Sequence, residues 1–170
     1  MDEVLVRAVG VADVGALQEL IEADPGYTER ITGCPPGEAD AQSLLLMRPE
    51  GVEEDAKVVL GAFVGDRLVA VVDLIRGTRR SGRCLSGCFR LHSNQQGRGY
   101  GRTAYALAER FVEDTWPEIG TLRLAVVDTN AQVAAGFWER QGFEATGEVR
   151  PYVYDKLEST ARLYEKQLGE

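Results

Sequence analysis

The sequence predicts a mixed α/β domain, with a mainly antiparallel, twisted sheet of about six to seven strands flanked by about four helices. Its 170 residues, 44% of them apolar, can form one genuine core rather than two small ones. Three strand-like runs separated by turns lie in the middle of the chain, and helical and strand-like patterns alternate after them. Because there is no internal repeat, low-complexity tract or linker, we expect residues 1–170 to form a single domain.

The front of the chain predicts one strand and two helices. The strand covers residues 4–7. The first helix follows Asp13, a residue type that caps helices, and carries apolar residues at helical spacing: Leu17, Leu20 and Ile21. The breakers at 24–26 end it, and a turn-rich stretch over 33–37 leads to a second apolar helix over 39–47. This region could cover a substrate pocket.

The centre of the chain predicts an antiparallel meander. Strands over 58–64 and 68–75 are joined by a Gly-Asp pair at 65–66, which is typical of tight hairpins. A second turn over 77–82 leads to a third strand over 84–91, which runs directly into a cluster of glycines.

The remainder of the chain predicts a helix over 100–112, a strand over 121–127, a helix over 130–140, and strands over 144–154 and 160–167. Asn130 starts the second of these helices, and Gly142 closes it as a C-cap glycine.

Composition excludes several classes of function. The net charge is -8, from 19 basic and 27 acidic residues, so neither nucleic acid nor an anionic membrane is expected as a partner. No apolar run approaches the ~20 residues of a membrane span. Three cysteines are an odd number without disulfide spacing, which fits a reducing cytoplasm. One histidine is too few for the usual metal signatures, so no metal is expected.

Positive charge is concentrated in one basic segment, residues 74–108. It contains no Asp or Glu and seven arginines: Arg76, Arg79, Arg80, Arg83, Arg90, Arg98 and Arg102. The segment carries +7 and the rest of the chain -15, a distribution that attracts a small polyanion to one place. Some of these arginines could instead pair with acids across the fold. Arg98 and Arg102 are the stronger candidates because glycines surround them.

The glycine turn, residues 96–102 (QGRGYGR), follows a predicted strand and opens a predicted helix, which is the context of a phosphate-binding turn. Unpaired N–H groups at a helix start carry partial positive charge, and glycines let a phosphate approach them closely. A dinucleotide-binding G-x-G-x-x-G would need glycine at the position of Arg102. A Walker loop needs a Gly-Lys pair, which the chain lacks. Both motifs are excluded.

The turn instead fits the pattern Q-x-x-G-x-G, through Gln96, Gly99 and Gly101. Here the sequence resembles the GNAT superfamily of acyl-CoA-dependent N-acetyltransferases, and the similarity extends over the second half of the chain. Leu91 and His92 precede the turn as in the family, with Ser93 where proline is usual. Downstream, the family order of an asparagine, an aromatic pair and Gly-Phe is matched by Asn130, Phe137, Trp138, Gly142 and Phe143.

The resemblance implies an enzyme that moves an acetyl group from acetyl-CoA to a primary amine by direct attack, through a tetrahedral intermediate. The CoA pyrophosphate would rest on turn amides that follow Gln96, namely those of Gly97, Arg98, Gly99, Tyr100, Gly101 and Arg102. The pantetheine arm would lie like an added strand along the preceding strand, at Phe89, Arg90 and Leu91. A backbone N–H near Leu91 would hold the thioester oxygen. Asn130 would either cap its helix or meet the ligand.

Two catalytic residues are expected, one from a departure from the family pattern and one from the central strands. Many members have a tyrosine that protonates the leaving thiolate where this chain has Trp138, whose indole cannot act as an acid. Three tyrosines could replace it, and these are Tyr105, Tyr152 and Tyr154. We take Tyr152 as the candidate acid. As the candidate base we take Asp73, the one acid inside the central apolar strands, which marks either the site or a structural ion pair. His92 is a rival base, but the family often has a histidine there without catalytic duty.

The missing tyrosine also supports a second hypothesis, a non-catalytic module that binds or senses acyl-CoA. The sequence does not separate a small-molecule acceptor from a protein acceptor, because specificity in this class depends on the variable front half and on loops. It leaves the oligomeric state open, a homodimer included.

Overall fold

The computed structural model describes residues 2–78 and 80–169, so Arg79 of the basic segment lies outside the described residues. Its strands are β1 (Leu5–Ala8), β2 (Lys57–Val64), β3 (Arg67–Arg76), β4 (Arg83–Leu91), β5 (Thr121–Val127), β6 (Glu144–Tyr154) and β7 (Leu157–Gln167). Its α-helices are α1 (Val14–Glu22), α2 (Pro25–Thr32), α3 (Asp40–Leu46), α4 (Tyr100–Thr115) and α5 (Asp128–Arg140). The expected mixed α/β class with a mainly antiparallel sheet is confirmed.

All seven strands form one sheet in the order β1-β2-β3-β4-β5-β7-β6. Neighbouring strands are antiparallel except β4 and β5, which run parallel. The expected meander β2-β3-β4 is present, and its first hairpin places Val64 opposite Arg67. Gly65 lies in the turn with φ of +59°, a left-handed conformation that glycine adopts without steric cost.

The parallel strands β4 and β5 are paired at one end only. The paired residues are Arg83 with Thr121, Cys84 with Leu122, and Leu85 with Arg123. Both strands continue beyond these residues, to Leu91 and Val127, and no further pair joins them in the described part of the chain. The two strands therefore separate into a V, whose inner edges carry backbone N–H and C=O groups without a ladder partner.

Helices cover both faces of the sheet and hold the V in place. On one face, α1 and α3 share a buried apolar cluster with β2 and β3, which includes Leu17, Leu20, Ile21, Ala41, Val59 and Val71. On the other face, α4 and α5 enclose a larger cluster with β4, β5 and β7, which includes Tyr105, Val112, Leu124, Trp138 and Tyr164. None of the described helices is long and apolar enough to cross a membrane.

The sequence analysis predicts no helix between the breakers at 24–26 and the turn-rich stretch over 33–37, but Pro25–Thr32 forms α2. Pro25 lies in the first turn, where its missing N–H costs nothing and its fixed φ suits a helix. Gly33 ends the helix with φ of +77°. The helix-breaking residues at 24–26 therefore separate α1 from α2, and Pro25 begins the second helix.

Asp13 occupies the N-cap position of α1, as expected, but its carboxylate makes no capping hydrogen bond to the helix and is engaged elsewhere. Asp13 accepts hydrogen bonds from the Gly10 N–H at 3.0 Å and from the Arg7 guanidinium at 2.8 and 3.2 Å. It belongs to a short 3-10 turn that precedes α1. At the end of α5 the prediction is confirmed: Gly142 has φ of +94°, and the following Phe143 N–H donates to a carbonyl of the last turn.

Candidate active site

The open end of the V forms a cleft of about 1070 Å³, just above the range of about 300–1,000 Å³ that is usual for small-molecule sites. Residues 86–87 and 89–91 of β4 and residues 124–127 of β5 line it. The glycine turn, α2, α5 and Tyr152 of β6 supply the other walls. We call the β4 edge with the glycine turn the backbone wall, and α2 with Arg90, Asn130 and Tyr152 the side-chain wall.

The glycine turn presents backbone N–H groups to the cleft. Gly97 and Gly99 have φ of +79° and +83°, and both line the cleft together with Gly101 and Arg102. The first bond of α4 runs from the Thr103 N–H to the Gly99 carbonyl at 3.2 Å, so the N–H groups that precede it have no partner within the helix. Gly99 has no side chain to cap them. With the helix dipole, these groups form an anion-binding turn.

The edge of β4 that faces β5 is available for hydrogen bonding. The His92 N–H donates to the Val69 carbonyl of β3 at 2.8 Å, and backbone groups alternate along a strand. Those of Phe89 and Leu91 therefore point away from β3, towards the gap. The Leu91 carbonyl accepts from the side-chain amide of Gln96 at 3.4 Å rather than from a strand. An extended arm with amide groups can pair with this edge as an added strand does.

Aromatic residues of β4 and α5 pack together beside the cleft. Phe89 stacks on Phe137 at 5.4 Å between ring centroids and meets Trp138 edge to face at 5.6 Å. Trp138 also packs against Phe143 at 5.4 Å and is 8% exposed. The indole therefore serves packing and supplies no acidic proton to the cleft.

Asn130 ties α5 to α2 rather than capping its own helix. It is the third residue of α5, which begins at Asp128, and it is 7% exposed. Its Oδ1 accepts from the Arg30 Nε at 2.6 Å, and both residues line the cleft. The Thr129 hydroxyl donates to the Arg30 carbonyl, which fixes the end of α2 further. Of the two roles expected for Asn130, capping is excluded.

Arg90 is buried beneath α2. Its Nη2 donates to the Thr28 hydroxyl at 2.7 Å, and its guanidinium carbon lies 4.3 Å from the centre of the Tyr27 ring. The Tyr27 hydroxyl donates to the Cys88 sulfur at 3.9 Å, and burial raises the pKa of Tyr27 well above its ordinary value. Tyr27 therefore stays protonated at neutral pH and acts on the cleft as a neutral group.

Of the three candidate tyrosines, Tyr152 lines the cleft, whereas Tyr105 and Tyr154 do not. The Tyr152 hydroxyl donates to the Ile31 carbonyl at the end of α2. Partial burial, and to a lesser extent the neighbouring Tyr154, raise the pKa of Tyr152, so the hydroxyl stays protonated at neutral pH. Tyr105 lies in the core, where burial raises its pKa, and Tyr154 is exposed.

Asp73 lies on β3 and does not line the cleft. Its two carboxylate oxygens accept from the Lys57 Nζ at 2.9 and 3.0 Å, and both side chains are nearly buried. Burial raises the pKa of Asp73, and Lys57 opposes this only in part. Gly87 lines the cleft in front of it, since a Cβ there would lie 3.2 Å from an Asp73 oxygen. This geometry favours the structural ion pair, and the catalytic assignment of Asp73 stays a prediction.

Most of the residues expected to bind CoA lie together in the cleft, namely Phe89, Arg90, Leu91, Gln96, Gly97, Gly99, Gly101, Arg102 and Asn130. The side chain of Arg98 is exposed and that of Tyr100 is buried in the core, and neither residue lines the cleft. His92 accepts from the Asn94 N–H through Nδ1 at 3.3 Å, outside the cleft lining.

The basic segment divides between structure and cleft. Arg76 and Arg83 approach carboxylates across the fold, at 3.8 to 4.0 Å, whereas Arg90 and Arg102 line the cleft. No cluster of three or more metal-ligating side chains occurs among the described residues.

Sequence reasoning missed the residues that α2 and its N-cap contribute to the cleft, namely Asp24, Tyr27, Arg30 and Ile31. A signal for α2 was present, because proline at the first helical position and glycine just past the last one mark the two ends of a helix. Nothing in the sequence pairs Arg30 with Asn130, which lies a hundred residues away.

Solved structures share this fold from end to end. Spermidine N-acetyltransferase from Vibrio cholerae, in complex with CoA and spermine, is 17% identical, with a TM-score of 0.74, and the match covers 96% of this chain and 95% of that one. PaiA N-acetyltransferase from Thermoplasma acidophilum, in complex with coenzyme A, is 18% identical, with a TM-score of 0.66, over 97% and 99%. Ribosomal-protein-S18-alanine N-acetyltransferase from Escherichia coli is 15% identical, with a TM-score of 0.69, over 99% and 96%. Among curated protein sequences, none matches this chain.

The open edge of β4 beside the amide turn at the start of α4 is the arrangement that the resemblance to the GNAT superfamily implies, and the family comparison agrees. The model of the acetyltransferase (GNAT) family matches residues 20–143, which is most of the chain. The protein therefore belongs to the acetyltransferase (GNAT) family and is an acyltransferase, as the glycine turn and the motifs downstream of it predict.

Proposed function

We propose that the protein transfers an acetyl group from acetyl-CoA to a primary amine by direct attack of the amine on the thioester, through a tetrahedral intermediate. One observation carries the proposal: a strand edge with free amide groups and a helix start with unpaired N–H groups line the same cleft. CoA has the matching chemistry, because an amide-bearing arm is joined to a diphosphate. That two structural neighbours are complexes with CoA supports the same choice of donor.

The backbone wall would hold the donor. The diphosphate would meet the N–H groups of residues 97–102, with Arg102 as a nearby cation, and the pantetheine arm would follow Phe89, Arg90 and Leu91. Space supports this placement, because a Cβ built on Gly97 would meet nothing within 4 Å. Charge-assisted hydrogen bonds of this kind contribute about 1.5–3 kcal/mol each, so several amides acting together can anchor the donor.

The transfer forms a C–N bond and breaks the C–S bond of the thioester, so the amine loses one proton and the departing thiolate gains one. Free N–H groups on the β4 edge near Leu91 suit the carbonyl oxygen as it becomes negative. We assign the proton for the thiolate to Tyr152, whose hydroxyl is protonated and lines the cleft. It would turn from the Ile31 carbonyl towards the leaving group.

The proton that the amine loses has two candidate acceptors. Asp73 remains the base expected from the sequence, and it would have to act past Gly87 while held by Lys57. Asp24 is the carboxylate that lines the cleft among the described residues. Among the described residues its one side-chain hydrogen bond is long, accepted from the Gln96 amide at 3.4 Å. Asp24 is therefore the simpler route for a proton to reach solvent.

The test is release of free thiol from acetyl-CoA in the presence of a broad panel of amines, with each acetylated product identified by mass. We expect release that depends on an amine and saturates with both substrates. If calorimetry shows tight CoA binding while no amine supports release, the protein acts as an acyl-CoA-binding module and the proposed reaction is wrong.

A further inference from the structure

The side-chain wall holds two arginines that no carboxylate of the described chain neutralises. Arg90 of β4 and Arg30 of α2 both line the cleft. The ion pairs formed by the described residues include neither of them. In a protein whose net charge is -8, two unneutralised guanidinium groups on one wall of the cleft indicate a site for an anion.

The case is strongest at Arg90, which is only 7% exposed. Its described contacts, the Thr28 hydroxyl, the Tyr27 ring and the Cys88 thiol, are neutral groups. Its Nη1 is buried and has no hydrogen-bond partner in the described part of the chain. The buried carboxylate of the same sheet, Asp73, is already paired with Lys57. A buried cation without an anion is costly, so its presence in a cleft points to a ligand that brings one.

Arg30 lies on the accessible side of the same wall and is half-buried. Its Nε is fixed by the Asn130 amide at 2.6 Å. Its Nη1 lies against Gly26, where an added Cβ would come within 2.9 Å, so the missing side chain makes room for the guanidinium. Arg30 is therefore held in one orientation by neutral groups, while its charge stays available to a ligand.

The proposed donor does not supply the missing charge. The phosphates of CoA match the backbone wall, whereas the pantetheine arm and the acetyl group are uncharged. With the donor placed in this way, the anion at Arg30 and Arg90 would belong to the acceptor. A polyamine acceptor would instead add positive charge to this wall, since Asp24 is the one carboxylate that lines the cleft among the described residues.

We propose that the acceptor is a small amino acid, an amine that carries its own carboxylate, and that Arg30 binds this carboxylate while the unpaired charge of Arg90 behind it strengthens the attraction. The inference rests on the proposed acetyl transfer and names its substrate class. Guanidinium and carboxylate match in planar geometry, which gives the pair directional selectivity. The carboxylate would orient the amine towards the thioester.

The first test needs only the unmodified enzyme. Each acceptor is offered in three forms, as the amino acid, as its carboxamide and as the amine without the carboxylate, with α-, β- and γ-amino acids included. We expect kcat/KM for the best amino acid to exceed that of its carboxamide by about tenfold to a hundredfold, because charge-assisted hydrogen bonds are lost with the carboxylate. Equal values, or a preference for the amide, the plain amine or a polyamine, would overturn the proposal.

The second test assigns the preference to Arg30. Arg30→Met should bring the ratio of amino acid to carboxamide close to one, mainly through KM of the amino acid, with CoA affinity by calorimetry unchanged. Arg30→Lys keeps the positive charge but loses the planar guanidinium with its paired N–H donors. It should therefore retain part of the preference for the amino acid over its carboxamide. Arg110→Met, at an exposed arginine of α4 outside the cleft, is the control and should keep all of it.

The outcomes separate the two proposals. Thiol release without a carboxylate preference, or a preference that survives Arg30→Met, overturns the amino acid acceptor and leaves acetyl transfer standing. No thiol release with any acceptor, although CoA binds, overturns both.

Discussion

The two walls of the cleft present different chemical groups to a ligand. The backbone wall consists of main-chain N–H and C=O groups, those of the glycine turn and of the open edge of β4. The side-chain wall consists of arginine, asparagine and tyrosine side chains, which are tied to one another across α2, α5 and β6. The first wall fits a ligand part that every member of a CoA-dependent family must bind, and the second can change with the acceptor.

The difference also decides how each wall responds to mutation. A backbone amide cannot be removed by a substitution, so the backbone wall is disturbed only where a new side chain blocks it or forces φ out of the left-handed region. A side-chain wall loses one contact at a time.

Asp73→Asn should cost about 3–5 kcal/mol of the free energy of unfolding, because it leaves the Lys57 ammonium, whose side chain is 6% exposed, without its counter-charge. Chemical denaturation measures the loss. The matched control is the double variant Lys57→Met with Asp73→Leu, which removes both charges and should recover most of the stability.

The same double variant tests whether Asp73, which lies outside the cleft lining, takes part in catalysis. If Asp73 is the base, the refolded double variant still loses acetyl transfer while it binds CoA normally. If the double variant keeps transfer, Asp73 is a structural residue and the catalytic assignment made from the sequence is wrong.

Cys84 lies in the part of β4 that is still paired with β5, outside the open cleft. Its buried thiol predicts how the free energy of unfolding depends on pH. Burial raises the pKa of its thiol from about 9 to about 12. Between these values the folded protein keeps the proton that the unfolded chain releases, so the free energy of unfolding falls as pH rises. One pKa unit corresponds to 1.36 kcal/mol, so the loss by pH 11 is about 3 kcal/mol.

The measurement compares the unmodified protein with Cys84→Ala at pH 8 and at pH 11. The other groups that titrate in this range are common to both proteins, so they cancel in the difference. The free energy of unfolding of the unmodified protein, relative to that of Cys84→Ala, should fall by about 3 kcal/mol between the two pH values. A difference that does not change with pH would contradict a protonated, buried thiol.

The sequence could predict most of the fold and the backbone wall. The meander and the glycine turn depend on local signals, such as the Gly-Asp pair at 65–66 and the left-handed glycines at 97 and 99, which act within a few residues. The turn would bind an anion through its own backbone amides. The residues that determine its conformation therefore also determine its chemistry.

The side-chain wall could not be predicted in the same way. Its contacts join residues that are far apart in sequence, such as Arg30 with Asn130 and Tyr152 with the Ile31 carbonyl. The opening between β4 and β5 has no local signal, because it depends on where the pairing of two strands ends. Asp73 is a case between the two: an acid in an apolar strand marks a special position in the sequence, but its partner Lys57 lies on the neighbouring strand and could not be predicted.

Gly99→Asp should weaken CoA binding by about a hundredfold, because it places a side chain and a negative charge at the helix start that receives the phosphates. Gly51→Asp is the matched control, since Gly51 has nearly the same φ, +82° against +83°, in open space away from the cleft. Calorimetry with CoA should show the loss only in the first variant. Equal affinities in both would mean that the phosphates do not bind at the turn.

Tyr152→Phe tests the side-chain wall and should lower kcat roughly tenfold, with KM for acetyl-CoA unchanged. General acids usually contribute 10²–10⁴-fold, but water can reach the thiolate in an open cleft and replace part of the effect. Tyr154→Phe is the control, because Tyr154 lies on the same strand, is exposed and does not line the cleft. If Tyr152 only pins α2 through the Ile31 carbonyl, its loss should raise KM for the acceptor and leave kcat intact. The split between kcat and KM therefore distinguishes a proton donor from a residue that shapes the acceptor site.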